Sequence, residues 1–186
     1  TFELVNIPSP PAEETAVAER YARYFEELGF DVQVDREFPE SPSVIARHHG
    51  CDGPVLQLEG HLDAVPTKHD PPRIEGGRIY GRGSIDMKSG LAGIVETCRV
   101  IKECGVPCNL LVTAHGQHEG AGPSGVLHAP LLRLLERGIK GDAVLIAEGP
   151  SDFVSIRSKG LAIVKFVITR EGIPTHELRS EGVPHP

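Results

Sequence analysis

His61 and Asp63 stand two residues apart, directly after the apolar run VLQLEG. In an extended segment, residues two apart point to the same face. The pair therefore allows three interpretations: a metal ligand with the carboxylate that orients it, a general base with its partner, or an ordinary polar end of a strand. The pair alone does not distinguish among them.

Further polar residues follow two other apolar runs. His118 and Glu119 come shortly after NLLVTAH, and Glu148 ends DAVLIAE. Because ligands gather at the carboxyl ends of strands in α/β sheets, we expect these side chains to meet at one sheet edge. Asp86 joins them from the glycine-containing loop GRGSIDMKSG, just before a predicted helix.

Each of these residues also has an ordinary structural explanation when it is taken singly. Asp86 could cap its helix, and His61 or Glu148 could be a solvated polar residue. Several acids at one edge repel each other, however, unless a cation neutralises them. One or two divalent ions would do so, and ligation by nitrogen and oxygen together suits zinc. In this hypothesis Asp63 orients the ligating His61.

The elements that must position these residues alternate along the chain. Strands alternating with helices predict an α/β fold with a mixed or largely parallel sheet. Residues 109–115 and 142–148 are continuously apolar, which predicts strands buried on both faces, and the Pro- and Gly-rich residues 66–83 are expected to form a loop. We predict helices over 13–30, 87–104 and 126–137, and strands over 31–35, 43–50, 54–60, 109–115, 142–148 and 161–171.

Composition narrows the class of protein. Hydrophobic residues make up 39% of the 186 residues and charged residues 24%, which is typical of a folded globular chain. The net charge of −7 and the lack of a basic cluster argue against a nucleic-acid partner, and no apolar run is long enough for a membrane span. None of the four cysteines forms a C-x-x-C motif. Free thiols in a reducing, cytoplasmic compartment are the expectation.

Four motifs occur in a family-specific order: NIPSPPAEE, GHLDAVP, YGRGSIDMKSGLAG and HEGAGPSG. With them the chain resembles the zinc-dependent aminoacylase and carboxypeptidase family, which includes acetylornithine deacetylase, succinyl-diaminopimelate desuccinylase, aminoacylase and glutamate carboxypeptidase. The resemblance implies a three-layer α/β catalytic domain with a mixed, largely parallel sheet over residues 1–158. It also implies that an inserted α+β lid domain begins at 159–186, through which such proteins often form homodimers.

The resemblance also assigns roles to individual residues. In that family two metal ions share a bridging Asp and a water. By position, His61 matches a ligand of one ion, Asp63 the carboxylate that orients it, Asp86 the bridging ligand and Glu148 a further acidic ligand. His176 matches the lid histidine that reaches a partner's active site and stabilises the oxyanion.

The chain departs from the family pattern after the strand at 109–115. The usual Glu-Glu pair, a general base followed by a metal ligand, is His118-Glu119 here. In one register Glu119 is the ligand and His118 replaces the base; in the other Glu119 is the base and Gly120 replaces the ligand. The downstream glycines favour the second register, and both remain open. The family's last metal-ligand histidine is expected beyond Pro186, in a part of the catalytic domain that this chain does not contain.

These features predict a metallo-amidohydrolase. The expected reaction is hydrolysis of an amide bond in a small N-acyl amino acid or peptide by a metal-activated water, with Zn²⁺, or with Co²⁺ or Mn²⁺, as the cofactor. The His118-Glu119 departure motivates one alternative: a binding protein that keeps the fold and has lost the chemistry.

Overall fold

The computed structural model describes residues 1–149 and 155–156. Along the chain its elements are α1 Phe2–Val5, α2 Thr15–Glu27, β1 Asp31–Asp35, β2 Ser43–His48, β3 Val55–His61, β4 Arg73–Glu75, β5 Arg78–Tyr80, α3 Lys88–Glu103, β6 Asn109–His115, α4 Ala129–Glu136 and β7 Ala143–Ile146.

Five of these strands form one mixed sheet in the order β1-β2-β6-β3-β7. Strand β2 is antiparallel to both β1 and β6, whereas β3 is parallel to both β6 and β7. The register pairs His61 with His115, so β3 and β6 end side by side. The predicted α/β fold with a mixed sheet is confirmed, and its parallel half presents the strand ends that concern function.

Helices cover both faces of the sheet. Alternate residues of β2 point to opposite faces: Val44 and Ala46 pack in the large core beneath α2 and α3, whereas Ile45 packs with Leu134 of α4. The described part of the chain therefore has three layers, helix on sheet on helix. Each large apolar side chain buried in this way contributes about 1.5–3 kcal/mol to stability.

Helix α2 buries the face that its periodicity predicts. Val17, Tyr21 and Phe25, spaced four residues apart, are fully buried. The hydroxyl of Tyr21 donates a hydrogen bond to the carbonyl of Leu91, 3.2 Å away, and so ties α2 to α3. Gly29 follows the helix with φ +72°, the left-handed conformation in which glycine commonly ends a helix.

The structure corrects the prediction that the strand at 142–148 is buried on both faces. Strand β7 covers Ala143–Ile146, and Val144, Leu145 and Ile146 are 52%, 46% and 59% exposed. The reason is its place at the edge of the described sheet, where it pairs with β3 on one side. An apolar run indicates only that a strand can be buried; the neighbours decide whether it is.

Two other segments differ from the sequence predictions. Residues 66–83, expected as a loop, include the hairpin β4–β5, whose turn residues Gly76 and Gly77 both have positive φ. Its three-residue strands are too short to show an alternating pattern. The helix predicted from residue 126 begins later, at Ala129, with Pro130 in its first turn.

The predicted strand at 161–171, the domain boundary at 158 and the lid segment 159–186 lie outside the described residues. Among the residues that are described, no helix is both long enough and apolar enough to cross a membrane.

Candidate metal centre

The site begins at the carboxyl end of β3. His61, the last residue of that strand, is 1% exposed. The glycine before it lets the start of α3 come close, because a Cβ at Gly60 would lie 2.6 Å from Cε of Met87. Met87 immediately follows Asp86, so this close packing brings the Asp86 carboxylate to the end of β3. The Nε2 atom of His61 lies 2.9 Å from Oδ1 of Asp86.

The other ring nitrogen of His61 faces Asp63. Nδ1 lies 3.0 Å from the main-chain carbonyl of Asp63 and 3.5 Å from its carboxylate, so the carbonyl makes the closer contact. Burial disfavours the charged imidazole, but the hydrogen bonds and charges of Asp63 and Asp86 outweigh this effect and raise the pKa of His61. One ring nitrogen of His61 thus contacts the residue that orients it, as in metal-ligating histidines, and the other faces the carboxylate of Asp86.

Asp63 also holds the segment after β6. Its carboxylate is fully buried and accepts hydrogen bonds from the backbone N–H groups of His118, at 3.2 Å, and Glu119, at 2.7 Å. Burial opposes ionisation of Asp63, but the hydrogen bonds from His61 and from these two N–H groups lower its pKa. Asp63 therefore stays ionised at neutral pH and joins the two strand ends.

Two overlapping groups of potential metal ligands result. One contains His61, Asp86 and Glu119; the other contains His61, His118 and Glu148; within each group the ligand atoms lie within 4.8 Å of one another. Burial and the nearby Asp86 carboxylate raise the pKa of Glu119. Acids crowded in this way become stable as anions when a cation lies between them.

The structure thus brings together five of the residues singled out from the sequence as candidate ligands or as their orienting carboxylate: His61, Asp63, Asp86, Glu119 and Glu148. They come from the ends of β3, β6 and β7 and from the start of α3, as the convergence of parallel strand ends predicts. His176, the predicted oxyanion residue, lies outside the described residues.

The two residues of the His118-Glu119 pair point to different parts of the site. The ring of His118 stacks on that of His61, with centroids 4.2 Å apart and planes 2° from parallel, and its Nε2 lies 3.4 Å from the Glu148 carboxylate. Glu119 instead lies with Asp86 and lines a cavity of about 470 Å³ that opens beside them. His61 therefore has the imidazole of His118 stacked on its ring and the carboxylate of Asp86 at its Nε2.

Sequence reasoning missed three residues near this site. Arg82 lines the same cavity, and its Nε is buried with no hydrogen-bond partner among the described residues. His115 and His128 lie beside His118, with ring centroids 6.2 Å and 4.6 Å from it. Arg82 lies within the GRGSID stretch and His115 ends an apolar run, so the sequence pattern could have marked both as candidate site residues. His128 follows a loop, and no sequence pattern marks it.

The fold and the site together define an α/β protein with a candidate metal centre at the carboxyl ends of its parallel strands. Residues 57–177 match Peptidase family M20/M25/M40, and the chain belongs to this family. The resemblance stated from the sequence motifs is thereby confirmed, and the family is one of metallohydrolases of the peptidase and deacylase type.

Individual relatives differ in what they are named for. The chain is 32% identical over 171 residues to a putative [LysW]-lysine/[LysW]-ornithine hydrolase of Pyrococcus furiosus, covering 91% of this chain and 47% of that protein. It is 29% identical over 184 residues to succinyl-diaminopimelate desuccinylase of Corynebacterium glutamicum, covering 97% and 48%. The chain spans about half the length of these relatives.

Solved structures agree on the fold. A tripeptidase of Staphylococcus aureus superimposes with a TM-score of 0.66 at 26% sequence identity, over 81% of this chain and 42% of that one. Identities at this level leave the substrate undetermined.

Proposed function

We propose that this chain provides the metal centre of an amidohydrolase that cleaves a small N-acyl amino acid or peptide. The observation that supports it most is the convergence of His61, Asp86, Glu119 and Glu148, with Asp63 buried behind them. Mixed imidazole and carboxylate donors suit Zn²⁺, with Co²⁺ or Mn²⁺ as substitutes. Burial and the repulsion from Asp86 raise the pKa of Glu119, and a bound cation would relieve that repulsion.

The proposed roles follow from the positions of the side chains. His61 and Glu148 would hold one ion and Glu119 a second, and Asp86, which lies close to both His61 and Glu119, would serve both ions. When bound, such ions polarise a substrate carbonyl and lower the pKa of a water. Glu119 is assigned as a ligand because its carboxylate lies within 4.8 Å of the ligand atoms of His61 and Asp86.

His118 is then the proton acceptor that replaces the family's glutamate. Its imidazole stacks on His61 and reaches Glu148, so it borders the place where a water and a substrate carbonyl would meet. A neutral imidazole can take the proton of the attacking water and pass it to the leaving amine. Burial and the neighbouring His61 lower the pKa of His118, which keeps its imidazole neutral near pH 7.

A free carboxylate on the substrate is the proposed specificity element. Arg82 lines the cavity that Asp86 and Glu119 also line, and its buried Nε lacks a partner among the described residues. A guanidinium binds a carboxylate through two parallel hydrogen bonds. Arg82→Met should therefore reduce kcat/KM for substrates with a free carboxylate far more than for their amide counterparts.

Three further parts of the proposal concern the complete protein. We propose that His176 stabilises the oxyanion and that a lid starting at 159 mediates a homodimer; both lie outside the described residues. We also propose a cytoplasmic location, which the four free cysteines support.

The test is hydrolysis by the complete gene product loaded with Zn²⁺, Co²⁺ or Mn²⁺, using N-formyl, N-acetyl and N-succinyl amino acids and dipeptides. Asp86→Asn is the matched control, since it keeps the shape of the bridging residue and removes its charge. Turnover that disappears in Asp86→Asn supports the proposal. Metal bound without turnover on any of these amides would favour the alternative, a binding protein in which His118 has replaced the catalytic glutamate.

A further inference from the structure

We propose that His115, His118 and His128 form an additional binding site for a divalent transition-metal ion of the zinc type. Each residue offers one ring nitrogen, and the three nitrogens lie within 4.8 Å of one another. Two imidazole nitrogens on one tetrahedral zinc are roughly 3.3 Å apart, given bonds of about 2.0–2.1 Å. Small rotations of the three rings would therefore bring the three nitrogens to the spacing that a tetrahedral zinc requires.

His115 is already oriented as a metal ligand. It is 3% exposed, and its Nδ1 lies 2.8 Å from Oε1 of Glu59. The same carboxylate accepts hydrogen bonds from Nε2 of Gln57, at 2.9 Å, and from the hydroxyl of Thr113. Since Glu59 is surrounded by donors, the His115 proton sits on Nδ1 and the lone pair on Nε2. A carboxylate behind a histidine is the arrangement that fixes the tautomer of metal-binding histidines.

Two nitrogens in this cluster have no partner. Among the described residues, Nε2 of His115 and Nδ1 of His128 are buried and accept or donate no hydrogen bond. A buried polar atom without a partner costs about 1–3 kcal/mol, and native structures usually satisfy it with a bound ion or a water. His115 is only 3% exposed, and its Nε2 has no partner among the described residues. This observation distinguishes the cluster from a chance grouping of surface histidines.

The position of His128 is set by the backbone. It precedes α4 with φ 57° and ψ 22°, a left-handed conformation, and its N–H donates to the carbonyl of Gln117 at 2.8 Å. That hydrogen bond ties the start of α4 to the segment that bears His118. The two rings consequently lie 4.6 Å apart although ten positions separate the residues in sequence.

Charge and donor type fit a divalent ion. Three imidazoles add no charge, while Glu59 behind His115 and Glu148, 3.4 Å from His118, supply negative charge close by. Three histidines leave the fourth position of a tetrahedral zinc open for water or another small ligand. The site shares no residue with the group of His61, Asp86 and Glu119, and it shares His118 with the group of His61, His118 and Glu148.

One consequence rests on the proposed function. A neutral imidazole has one lone pair, so His118 cannot accept a proton while that lone pair binds an ion. The metal pair is the two ions proposed at His61, Asp86, Glu119 and Glu148. Zinc added beyond the amount that this pair requires should then inhibit hydrolysis, and half-maximal inhibition should occur at a zinc concentration equal to the Kd of the three-histidine site. If the ion binds but does not inhibit, the role of His118 as proton acceptor is wrong and the binding site stands.

The experiment is titration of the metal-free protein with Zn²⁺, followed by calorimetry and by metal content after gel filtration. His128→Ala and His115→Gln should each bind one ion fewer per chain than wild type. Glu59→Gln should weaken the binding of that ion by about 10–100-fold. His49→Ala, at an exposed histidine, is the control and should bind like wild type.

Asp86→Asn separates this proposal from the previous one, because it should lose the metal pair and keep the three-histidine ion. Circular dichroism and thermal unfolding identify any variant that has failed to fold. The proposal is overturned if folded His128→Ala and folded His115→Gln both bind as many zinc ions as wild type with unchanged affinity, in which case the unpartnered nitrogens bind water.

Discussion

The backbone N–H of Glu119 donates a hydrogen bond to the carboxylate of Asp63, with 2.7 Å between N and Oδ2. The other carboxylate oxygen accepts the N–H of His118 at 3.2 Å, and the same residue faces Nδ1 of His61. Asp63 therefore fixes both strand ends of the candidate metal centre at once. Its charge is buried but has three hydrogen-bonding neighbours, which is how a buried carboxylate can remain ionised.

Asp63→Asn should weaken metal binding without unfolding the protein. The amide has a single acceptor oxygen, so one of the two backbone N–H groups loses its partner and the His118-Glu119 segment shifts. Loss of an orienting residue of this kind typically reduces metal affinity about 10–100-fold. Calorimetric titration with Zn²⁺ measures the change, and Asp52→Asn, at an exposed aspartate, is the control. Unchanged affinity would mean that Asp63 has no influence on the metal centre.

Glu119→Gln should reduce the number of bound ions. An amide oxygen is a much poorer ligand than a carboxylate, so the ion beside Asp86 should be lost if Glu119 is its ligand. Metal content and turnover are measured together, with the exposed Glu26→Gln as control. Full metal content with lost turnover would show that Glu119 is the general base. It would support the register in which Gly120 replaces the family's metal ligand.

The sequence predicted the parts of this site that depend on short-range patterns. Strand 109–115 was predicted with the bounds that the structure gives it, and the parallel pairing of β3 and β6 brings their polar ends together. The exposure of β7 was not predictable, because burial depends on neighbouring elements. The neighbours of His128 depend on a left-handed residue before α4, which no periodicity encodes.

Gly90→Ala and Gly93→Ala should have opposite effects although both lie in α3. A Cβ at Gly90 would overlap the main-chain carbonyl of Ala147, just before Glu148, whereas a Cβ at Gly93 meets nothing within 4 Å. Overpacking costs about 1–3 kcal/mol, so Gly90→Ala should lower the free energy of unfolding and move Glu148 away from His61.

Gly93→Ala should instead raise the free energy of unfolding by up to about 1 kcal/mol, because alanine is the better helix former. Denaturant unfolding gives both values, and zinc titration shows whether only Gly90→Ala weakens metal binding. Equal effects of the two substitutions would contradict the close contact between α3 and the end of β7.

Glu14→Gln should change the way that stability depends on pH. Glu14 is fully buried and accepts hydrogen bonds from the hydroxyl of Ser41 at 2.6 Å and the backbone N–H of Gln117 at 2.9 Å. Burial raises the pKa of this carboxyl despite those two hydrogen bonds. The folded state then binds the proton more tightly than the unfolded state does, so ionisation of Glu14 costs stability.

The cost appears as pH rises from the ordinary carboxyl range through the raised pKa of the folded state, and it is constant above that. Glutamine cannot ionise, and its amide can still accept from Gln117 and donate to Ser41. The free energy of unfolding of wild type minus that of Glu14→Gln should therefore fall as pH rises from the ordinary carboxyl range near about pH 4 towards neutral pH. Denaturant unfolding of both proteins across this range measures it, with Glu26→Gln as control. A difference that is constant or rises with pH would show that Glu14 is not destabilised by its burial.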